Sequence, residues 1–262
     1  MRAHDDLALL KDAAQEAGEI ATRYFKAAPK VWDKGAGQGP VTEADLEIDQ
    51  MLRARLMGAR PDYGWLSEES AQDPARLQAR RMFIIDPIDG TRAFIDGQPG
   101  FAHALAVIEE GRPVTAVVHL PVLGQCYSAA RGAGAALNDR TIQVSTVDPA
   151  IKARVLAARP QMHPDKWPGG VPDLDRHFRP SIAWRMALVA EGAFDAMLSL
   201  RPTWHWDSAA GALLITEAGG IVTTGQGAEL RFDTPQPRSD GVIAANPDLH
   251  ASLIARRTAH SR

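Results

Sequence analysis

The acidic side chains that could support chemistry lie in four separate segments: Asp45, the pair Glu68 and Glu69, the pair Asp86 and Asp89, and Asp207. Asp86 ends the apolar run 82–85, and Pro87 restricts the next turn of the backbone, so Asp89 returns beside Asp86. Two carboxylates this close repel each other unless a cation lies between them. Hard oxygen ligands of this kind favour Mg²⁺, Mn²⁺ or Ca²⁺ over zinc. The pair therefore predicts a divalent-cation site.

Each of these acids, taken alone, also has a structural interpretation. Asp45 lies three residues after Thr42, where it can complete a capping box at the start of a helix. Asp89 followed by Gly90 is ordinary turn chemistry, and Asp207 can be an acid in the first turn of a helix. The combination favours a metal site, because the same residue types recur where strands and helices are predicted to end or begin.

Gly90 and Thr91 follow Asp89 directly and add a feature suited to phosphate. If a helix begins here, their backbone N–H groups have no partner within the helix and can donate to phosphate oxygens. No cluster of Cys and His with zinc spacing competes in the sequence. These residues therefore indicate metal-assisted chemistry on a phosphate ester.

The elements that must position these acids can be predicted from hydrophobic spacing. Helices are predicted at 5–27, from after Thr42 to about Gly58, near 181–191, near 207–218 and near 247–257, with a glycine-rich loop at 35–40. Strands are predicted at 82–85, 101–108, 113–120, 125–130, 154–158, 194–200, 220–223 and 241–245. The early strands are separated by short turns and indicate an antiparallel meander, whereas alternating strands and helices indicate an α/β second half.

Composition limits the class of protein. The chain has 262 residues, 45% hydrophobic and 23% charged, which suits a globular enzyme of two packed halves, predicted here as 1–144 and 145–262. A net charge of -3 without a Lys/Arg run disfavours nucleic acid as the main partner. The single Cys126 cannot form an internal disulfide, and neither a signal peptide nor a membrane-spanning run is present, so a cytoplasmic location is expected.

Four motifs, in the expected order, resemble those of the inositol monophosphatase superfamily. They are Val41–Asp45, Ser67–Ser70, Asp86–Thr91 (DPIDGT), and Trp206–Gly211 followed by Glu217–Gly220. The resemblance implies an αβαβα layered sandwich, with an antiparallel sheet in the N-terminal half, a mixed sheet in the C-terminal half and the substrate cleft between them. It also implies a phosphomonoesterase that is sensitive to lithium. Members commonly dimerise, so a homodimer is left open.

Carried over by position, the resemblance implies two or three Mg²⁺ ions per site. Glu68, Asp86 and the backbone carbonyl of Ile88 would hold the first. Asp86, Asp89 and Asp207 would hold the second, and Glu68 with waters a weaker third. Asp45 and Thr91 would orient and deprotonate the attacking water, and the amides of Gly90 and Thr91 would hold the phosphate.

The substrate is the open question. The resemblance would place a glutamate that contacts the inositol ring at the position of Leu200, and leucine cannot accept hydrogen bonds from ring hydroxyls. Segments 181–192 and 201–207 resemble the bacterial 3'(2'),5'-bisphosphate nucleotidases instead. There Lys34 would close over the phosphate, and Arg185 would hold a second phosphate through charge-assisted hydrogen bonds. Lys34 as a mobile surface side chain and Arg185 as a solvated helix residue are the alternatives.

Other small phosphorylated metabolites remain possible as substrates. Inositol 1-phosphate is one alternative, and histidinol phosphate is another because the string 90–95 also occurs in that branch. A non-enzymatic alternative is a catalytically silent regulator that keeps the pocket and binds a phosphate ligand. Such a protein would be expected to lack one of the acids or Thr91, and none of them is missing.

Overall fold

The structure is a computed structural model that describes residues 2–35, 39–148 and 152–259. Positions 36–38 of the predicted glycine-rich loop lie outside the described residues. Within those three ranges, no helix combines the length and the apolar composition needed to cross a membrane.

The helices follow the predicted hydrophobic spacing closely. They are α1 (Arg2–Tyr24), α2 (Glu43–Ala59), α3 (Thr91–Ile95), α4 (Ile182–Ala190), α5 (His205–Glu217) and α6 (Pro247–Thr258). The first helix ends before the predicted residue 27, because Lys26 and Ala28 adopt left-handed φ values of 62° and 52°. Thr42 caps α2, and its side chain and Asp45 form the predicted capping box.

The strands are β1 (Val31–Asp33), β2 (Pro40–Thr42), β3 (Gly64–Ser67), β4 (Arg81–Asp89), β5 (Ala102–Glu109), β6 (Arg112–Leu120), β7 (Gln125–Ala130), β8 (Ala135–Leu137), β9 (Arg140–Ile142), β10 (Arg154–Ala157), β11 (Asp175–His177), β12 (Ala196–Ser199), β13 (Thr203–Trp204), β14 (Ile221–Thr223), β15 (Arg238–Ser239) and β16 (Val242–Ala245). Short 3₁₀ turns lie at Pro74–Gln78, Pro121–Leu123, Arg159–Met162 and Pro164–Lys166. Eight strands of two to four residues were not predicted: β1, β2, β3, β8, β9, β11, β13 and β15.

The N-terminal sheet has seven strands in the order β3-β4-β5-β6-β7-β8-β9. From β4 to β9 every pair is antiparallel, which confirms the predicted meander. The outermost pair differs, since β3 runs parallel to β4 with Ser67 opposite Ile85. A parallel pair needs a long crossover, and here the chain between the two strands, residues 68–80, provides it.

The C-terminal sheet has five strands in the order β11-β10-β12-β16-β14. Strand β10 is parallel to both of its neighbours, whereas β16 is antiparallel to β12 and β14. The predicted mixed sheet is therefore confirmed. The whole arrangement is the layered α/β sandwich that the sequence led us to expect.

Three hydrophobic cores separate the layers. Side chains on one face of β4 and β5, including Phe83 and Leu105, pack with α1 and α2. Their neighbours on the opposite face, including Ile84 and Ala104, pack with α4, α5 and the second sheet, as alternation along a strand requires. The far face of the second sheet packs against α6. The middle core draws on both predicted halves, and the division at 144 and 145 stays a prediction.

Candidate metal centre

A β-bulge in β4 shapes the loop that carries Asp86 and Asp89. Asp86 pairs with Ala104 and Asp89 with Ala102, so three steps along β4 match two along β5. In a regular strand, residues three apart point to opposite faces, but the extra residue shifts this alternation. The strand therefore continues to Asp89, beyond the predicted end at Ile85, and the two carboxylates come close enough for their charges to interact.

Three acids from distant segments converge next to this bulge. Carboxylate oxygens of Glu68, Asp86 and Asp207 all lie within 4.8 Å of one another. Glu68 follows β3, where its N–H donates to the Ile85 carbonyl at 3.2 Å, and Asp207 lies in the first turn of α5. In the part of the chain that the structure describes, this is the one cluster of three or more acidic, His or Cys side chains arranged to hold a cation.

The electrostatics of the cluster indicate that it needs positive charge. Burial raises the pKa of Asp86 well above its usual value, and the charges of Glu68, Asp89 and Asp207 raise it further. Burial is also the largest cause that raises the pKa of Asp207, and the charges of Asp89 and Glu68 raise it further. The charges of Arg201 and Arg185 oppose this rise. The buried Oδ1 of Asp86 has no hydrogen-bond partner among the described residues. An unpartnered buried carboxylate oxygen among other acids fits a divalent cation.

Asp89 stands slightly apart from the three clustered acids and is held by the start of α4. Its Oδ2 accepts hydrogen bonds from Ser181 Oγ at 2.7 Å and from the Ala183 N–H at 2.6 Å. Burial raises the pKa of Asp89 to about 6, although these two bonds and the charge of Arg185 oppose the rise. Its other oxygen is therefore the one left to face a cation.

Asp45 and Thr91, predicted to act on water, lie next to each other. Thr91 Oγ1 is 3.4 Å from Asp45 Oδ1 and donates to the Ile88 carbonyl at 3.1 Å. The second oxygen of Asp45 accepts from the Thr42 N–H at 2.8 Å, so the capping role and the proximity to Thr91 use different atoms. Burial raises the pKa of Asp45 to about 6, while the bonds from Thr42 lower it. With this pKa the Asp45 carboxyl is largely ionised at neutral pH, and its role toward water stays a prediction.

Gly90 takes a conformation that only glycine accepts readily. Its φ is +100°, and a Cβ at this position would lie 3.4 Å from the Gly100 carbonyl oxygen. Gly90 caps α3, so the first N–H groups of that helix, beginning at Thr91, have no intrahelical acceptor. The helix start on which the phosphate-holding role was made conditional is present, and that role itself stays a prediction.

Lys34 lies over the acids rather than in solvent. Its Nζ is 2.7 Å from Glu68 Oε1 and 2.5 Å from Glu69 Oε1. Burial lowers the pKa of Lys34, but the two glutamates raise it by more, so the ammonium remains charged. Burial and the charge of Glu68 raise the pKa of Glu69 to about 7, against the opposing effect of Lys34. The alternative of a mobile surface lysine does not describe this structure.

Arg185 is buried in α4, with 6% of its surface exposed, so the alternative of a solvated helix residue is wrong. Its Nε donates to the Arg179 carbonyl at 2.5 Å, and an Nη donates to the Pro180 carbonyl at 3.0 Å. Burial lowers its pKa, whereas the charges of Asp89 and Asp207 raise it. Arg185 therefore lies at the side of the site formed by these two aspartates.

A cavity of about 220 Å³ opens beside Glu68 and is lined by Ser67, Glu68, Ser70, Gln72, Trp204 and Trp206. The two tryptophan rings are stacked, with centroids 4.5 Å apart. The guanidinium of Arg238 covers the other face of Trp204, 3.4 Å from the ring centroid. Because both faces of Trp204 are covered, this ring cannot stack on a planar ligand. Cys126 belongs to a different pocket and has no role in this site.

Sequence reasoning missed the residues that hold the ligands in place. Asp49 accepts hydrogen bonds from Ser67 Oγ and Ser70 Oγ, at 2.5 and 2.6 Å, and so braces the segment that carries Glu68. The sequence held a signal that could have identified Asp49, because Asp45 and Asp49 are four residues apart and share one face of α2. Ser181 is a second case: it is recognisable as a helix cap, but nothing local indicates that it also reaches Asp89.

The fold and the clustered carboxylates define a metal-dependent phosphatase. The profile of the inositol monophosphatase family matches residues 4–262. The chain belongs to the inositol monophosphatase family.

Curated relatives carry several different names. Inositol-1-monophosphatase of Rhizobium meliloti is 37% identical over 196 residues, which is 71% of this chain and 73% of that protein. Histidinol-phosphatase of Chlorobaculum parvum is 32% identical, covering 95% of both chains. The 3'(2'),5'-bisphosphate nucleotidase CysQ of Aggregatibacter actinomycetemcomitans is 31% identical, covering 82% of this chain and 83% of the relative. Among solved structures, Thermotoga maritima IMPase superposes with a TM-score of 0.83 at 28% identity, over 95% of both chains.

Proposed function

We propose that the protein hydrolyses a small metabolite that carries two phosphates, with adenosine 3',5'-bisphosphate, converted to AMP and phosphate, as the best candidate. The observation that carries this proposal is the charge around Asp207 and Asp89. Arg185 and Arg201 are both close enough to lower the pKa of Asp207, and Leu200 precedes Arg201 where inositol monophosphatases would place a ring-binding glutamate. Two guanidinium groups suit a second anionic group better than neutral hydroxyls.

The metal ligands in this proposal are the acids of the site. Glu68, Asp86 and the Ile88 carbonyl would hold one Mg²⁺, and Asp86, Asp89 and Asp207 a second, with a weaker third at Glu68. When bound, such ions lower the pKa of a water molecule and neutralise charge on the phosphate and the leaving oxygen. The unpartnered Oδ1 of Asp86 supports this assignment.

The protein's own groups then position the attack. In the reaction the Thr91 hydroxyl would turn its single proton from the Ile88 carbonyl toward Asp45 Oδ1, 3.4 Å away, and its oxygen would accept a hydrogen bond from the water. With its pKa near 6, the Asp45 carboxylate is largely ionised at neutral pH and can act as a base. The N–H groups at the start of α3 would receive phosphate oxygens, and Lys34 would move from Glu68 to the substrate phosphate.

The test compares substrates in the wild type and in Arg185→Ala. A phosphate-release panel should rank adenosine 3',5'-bisphosphate above inositol 1-phosphate, fructose 1,6-bisphosphate and histidinol phosphate. Losing charge-assisted hydrogen bonds costs about 1.5–3 kcal/mol, so Arg185→Ala should lower kcat/KM for the bisphosphate roughly 10- to 100-fold more than for the matching monophosphate. Arg53→Ala, at an exposed arginine of α2, is the control.

The deciding quantity is the loss of kcat/KM on the bisphosphate divided by the loss on the monophosphate. Arg185 also supports the segment before α4 that anchors Asp89, so some loss on both substrates is expected. Equal losses for both would remove Arg185 from the second-phosphate role. A preference for inositol 1-phosphate or histidinol phosphate would favour the activities for which two of the relatives are named.

Asp89→Asn tests the enzyme against the alternative of a catalytically silent regulator. The wild type should release phosphate in the presence of Mg²⁺, and the variant should lose this release while its fold remains intact. Unchanged phosphate release in this variant would contradict the metal assignment. The proposal also includes lithium inhibition and a reducing cytoplasm, the latter supported by the single cysteine, and it leaves a homodimer open.

A further inference from the structure

His103 is fully buried in β5, directly behind the metal-binding bulge. Its Nδ1 lies 2.5 Å from the carbonyl oxygen of Pro87, the residue that follows the metal ligand Asp86. Since a carbonyl oxygen can only accept, Nδ1 carries the proton and donates it to Pro87. Among the described residues, the imidazole thus hydrogen-bonds to the backbone of the bulge and to none of the carboxylates.

The bulge needs such a partner because it leaves the strand ladder. Between Asp86 and Asp89 the register shifts, so the carbonyls of Pro87 and Ile88 lie outside the regular pairing with β5. A buried carbonyl without a partner is costly. Thr91 Oγ1 satisfies the carbonyl of Ile88, and His103 satisfies that of Pro87. Together the two side chains orient the peptide units that link both aspartates.

The surroundings of His103 keep its ring neutral. Burial lowers the pKa of His103 to about 3, and the neighbouring His119, with ring centroids 6.0 Å apart, contributes in the same direction. Nε2 of His103 has no partner among the described residues, so its contribution comes through the Pro87 bond. A neutral donor can sit behind a cation site without repelling the cation.

We propose that His103 is a positioning residue for the metal centre, which holds the Asp86–Asp89 bulge through the Pro87 carbonyl and thereby sets the affinity for divalent cations. Residues that orient metal ligands typically change metal affinity by about 10- to 100-fold when they are replaced. The proposal depends on the metal centre and not on the identity of the substrate, so it can hold even if the bisphosphate assignment is wrong.

The test measures metal binding directly. His103→Leu removes the donor at similar volume. His119→Leu is the matched control, because His119 is also buried but makes no hydrogen bond to 86–89 among the described residues. Titration calorimetry of Mn²⁺ into metal-free, folded protein should give a dissociation constant about tenfold higher or more for His103→Leu. His119→Leu should remain within about twofold of the wild type, and amide hydrogen exchange at 88–91 should accelerate only in His103→Leu.

A second pair of variants keeps the test decisive if His103→Leu does not fold. Asparagine places its amide N–H where Nδ1 of histidine lies, whereas glutamine places it where Nε2 lies. His103→Asn should therefore bind Mn²⁺ nearly as tightly as the wild type, and His103→Gln more weakly. Equal Mn²⁺ affinity in the asparagine and glutamine variants, or wild-type affinity in a folded His103→Leu, overturns the proposal.

Discussion

Replacing Asp89 with asparagine should make the metal-free protein more stable and should at the same time abolish catalysis. Asp89 is buried, and its pKa is raised from 3.8 to about 6 by that burial. An acid with a raised pKa in the folded state lowers the free energy of unfolding as the pH rises from 3.8 to about 6, and the full cost persists above that range. The asparagine amide carries no charge and avoids this cost.

The magnitude follows from the shift in pKa. The cost of ionising Asp89 in the folded protein is about two pKa units at about 1.36 kcal/mol each, which is about 3 kcal/mol at pH 8. At pH 5 this cost is about half as large. For a chain of this size, 3 kcal/mol corresponds to roughly 6–12 °C in Tm. The side-chain oxygen of asparagine can still accept from Ser181 and Ala183, which hold Asp89 Oδ2 at 2.7 and 2.6 Å, so little should be lost in return.

The assay is urea unfolding of the wild type and Asp89→Asn in EDTA at pH 8 and pH 5, repeated with saturating Mg²⁺. In EDTA the variant should be the more stable protein, by more at pH 8 than at pH 5. With Mg²⁺ the order should reverse, because only the wild type gains the full free energy of cation binding. Asp62→Asn, at an exposed acid, should change stability little under any of these conditions.

The reasoning would be refuted if Asp89→Asn were no more stable than the wild type in EDTA at pH 8. A gain that was equal at pH 5 and pH 8 would also contradict it, because the cost of ionising a buried carboxyl must grow across this interval.

Three further predictions concern Asp45, a pair of helical glycines and inhibition by lithium. Asp45→Asn keeps an acceptor for the Thr42 N–H and removes a buried carboxyl whose pKa is also raised to about 6, so the free energy of unfolding in EDTA at pH 8 should rise rather than fall. Loss of the proposed base should lower kcat about 10²- to 10⁴-fold; wild-type kcat would exclude Asp45 as the base. Gly211→Ala should cost about 1–3 kcal/mol in urea unfolding, because a Cβ there would lie 2.5 Å from Met186 Cβ. Gly58→Ala, in open space on α2, should instead gain about 0.5–1 kcal/mol; a similar sign for both glycines would contradict the packing argument. Millimolar lithium should inhibit Mg²⁺-dependent phosphate release, and insensitivity would count against the bisphosphate nucleotidase branch.

The elements that sequence reasoning predicted well are those specified by local interactions. The Thr42 and Asp45 pair marks the start of α2 because a capping box involves only the four residues of one turn. The antiparallel strands from β4 to β7 follow from apolar runs separated by short turns. The motif at 86–91 indicated a candidate metal loop for the same reason, since two aspartates, a proline and a glycine lie within six residues.

The supports of the site could not be predicted in this way because their partners are distant along the chain. Ser181 reaches Asp89 across 92 residues, and Ser67 reaches Asp49 across 18. The parallel pairing of β3 with β4 also depends on a crossover whose path no local pattern specifies. The burial of His103 behind the bulge and of Arg185 in α4 likewise emerges only when the layers are packed.

The sequence alone therefore determined the type of chemistry, because carboxylate, glycine and threonine side chains carry their ligand properties wherever they lie. Only the tertiary structure decided that Glu68, Asp86 and Asp207 meet within 4.8 Å, and which side chains brace the segments around them. The physical reason is that like charges are brought together against their repulsion by the packing of whole layers, and that packing energy is distributed over residues with no signature of their own.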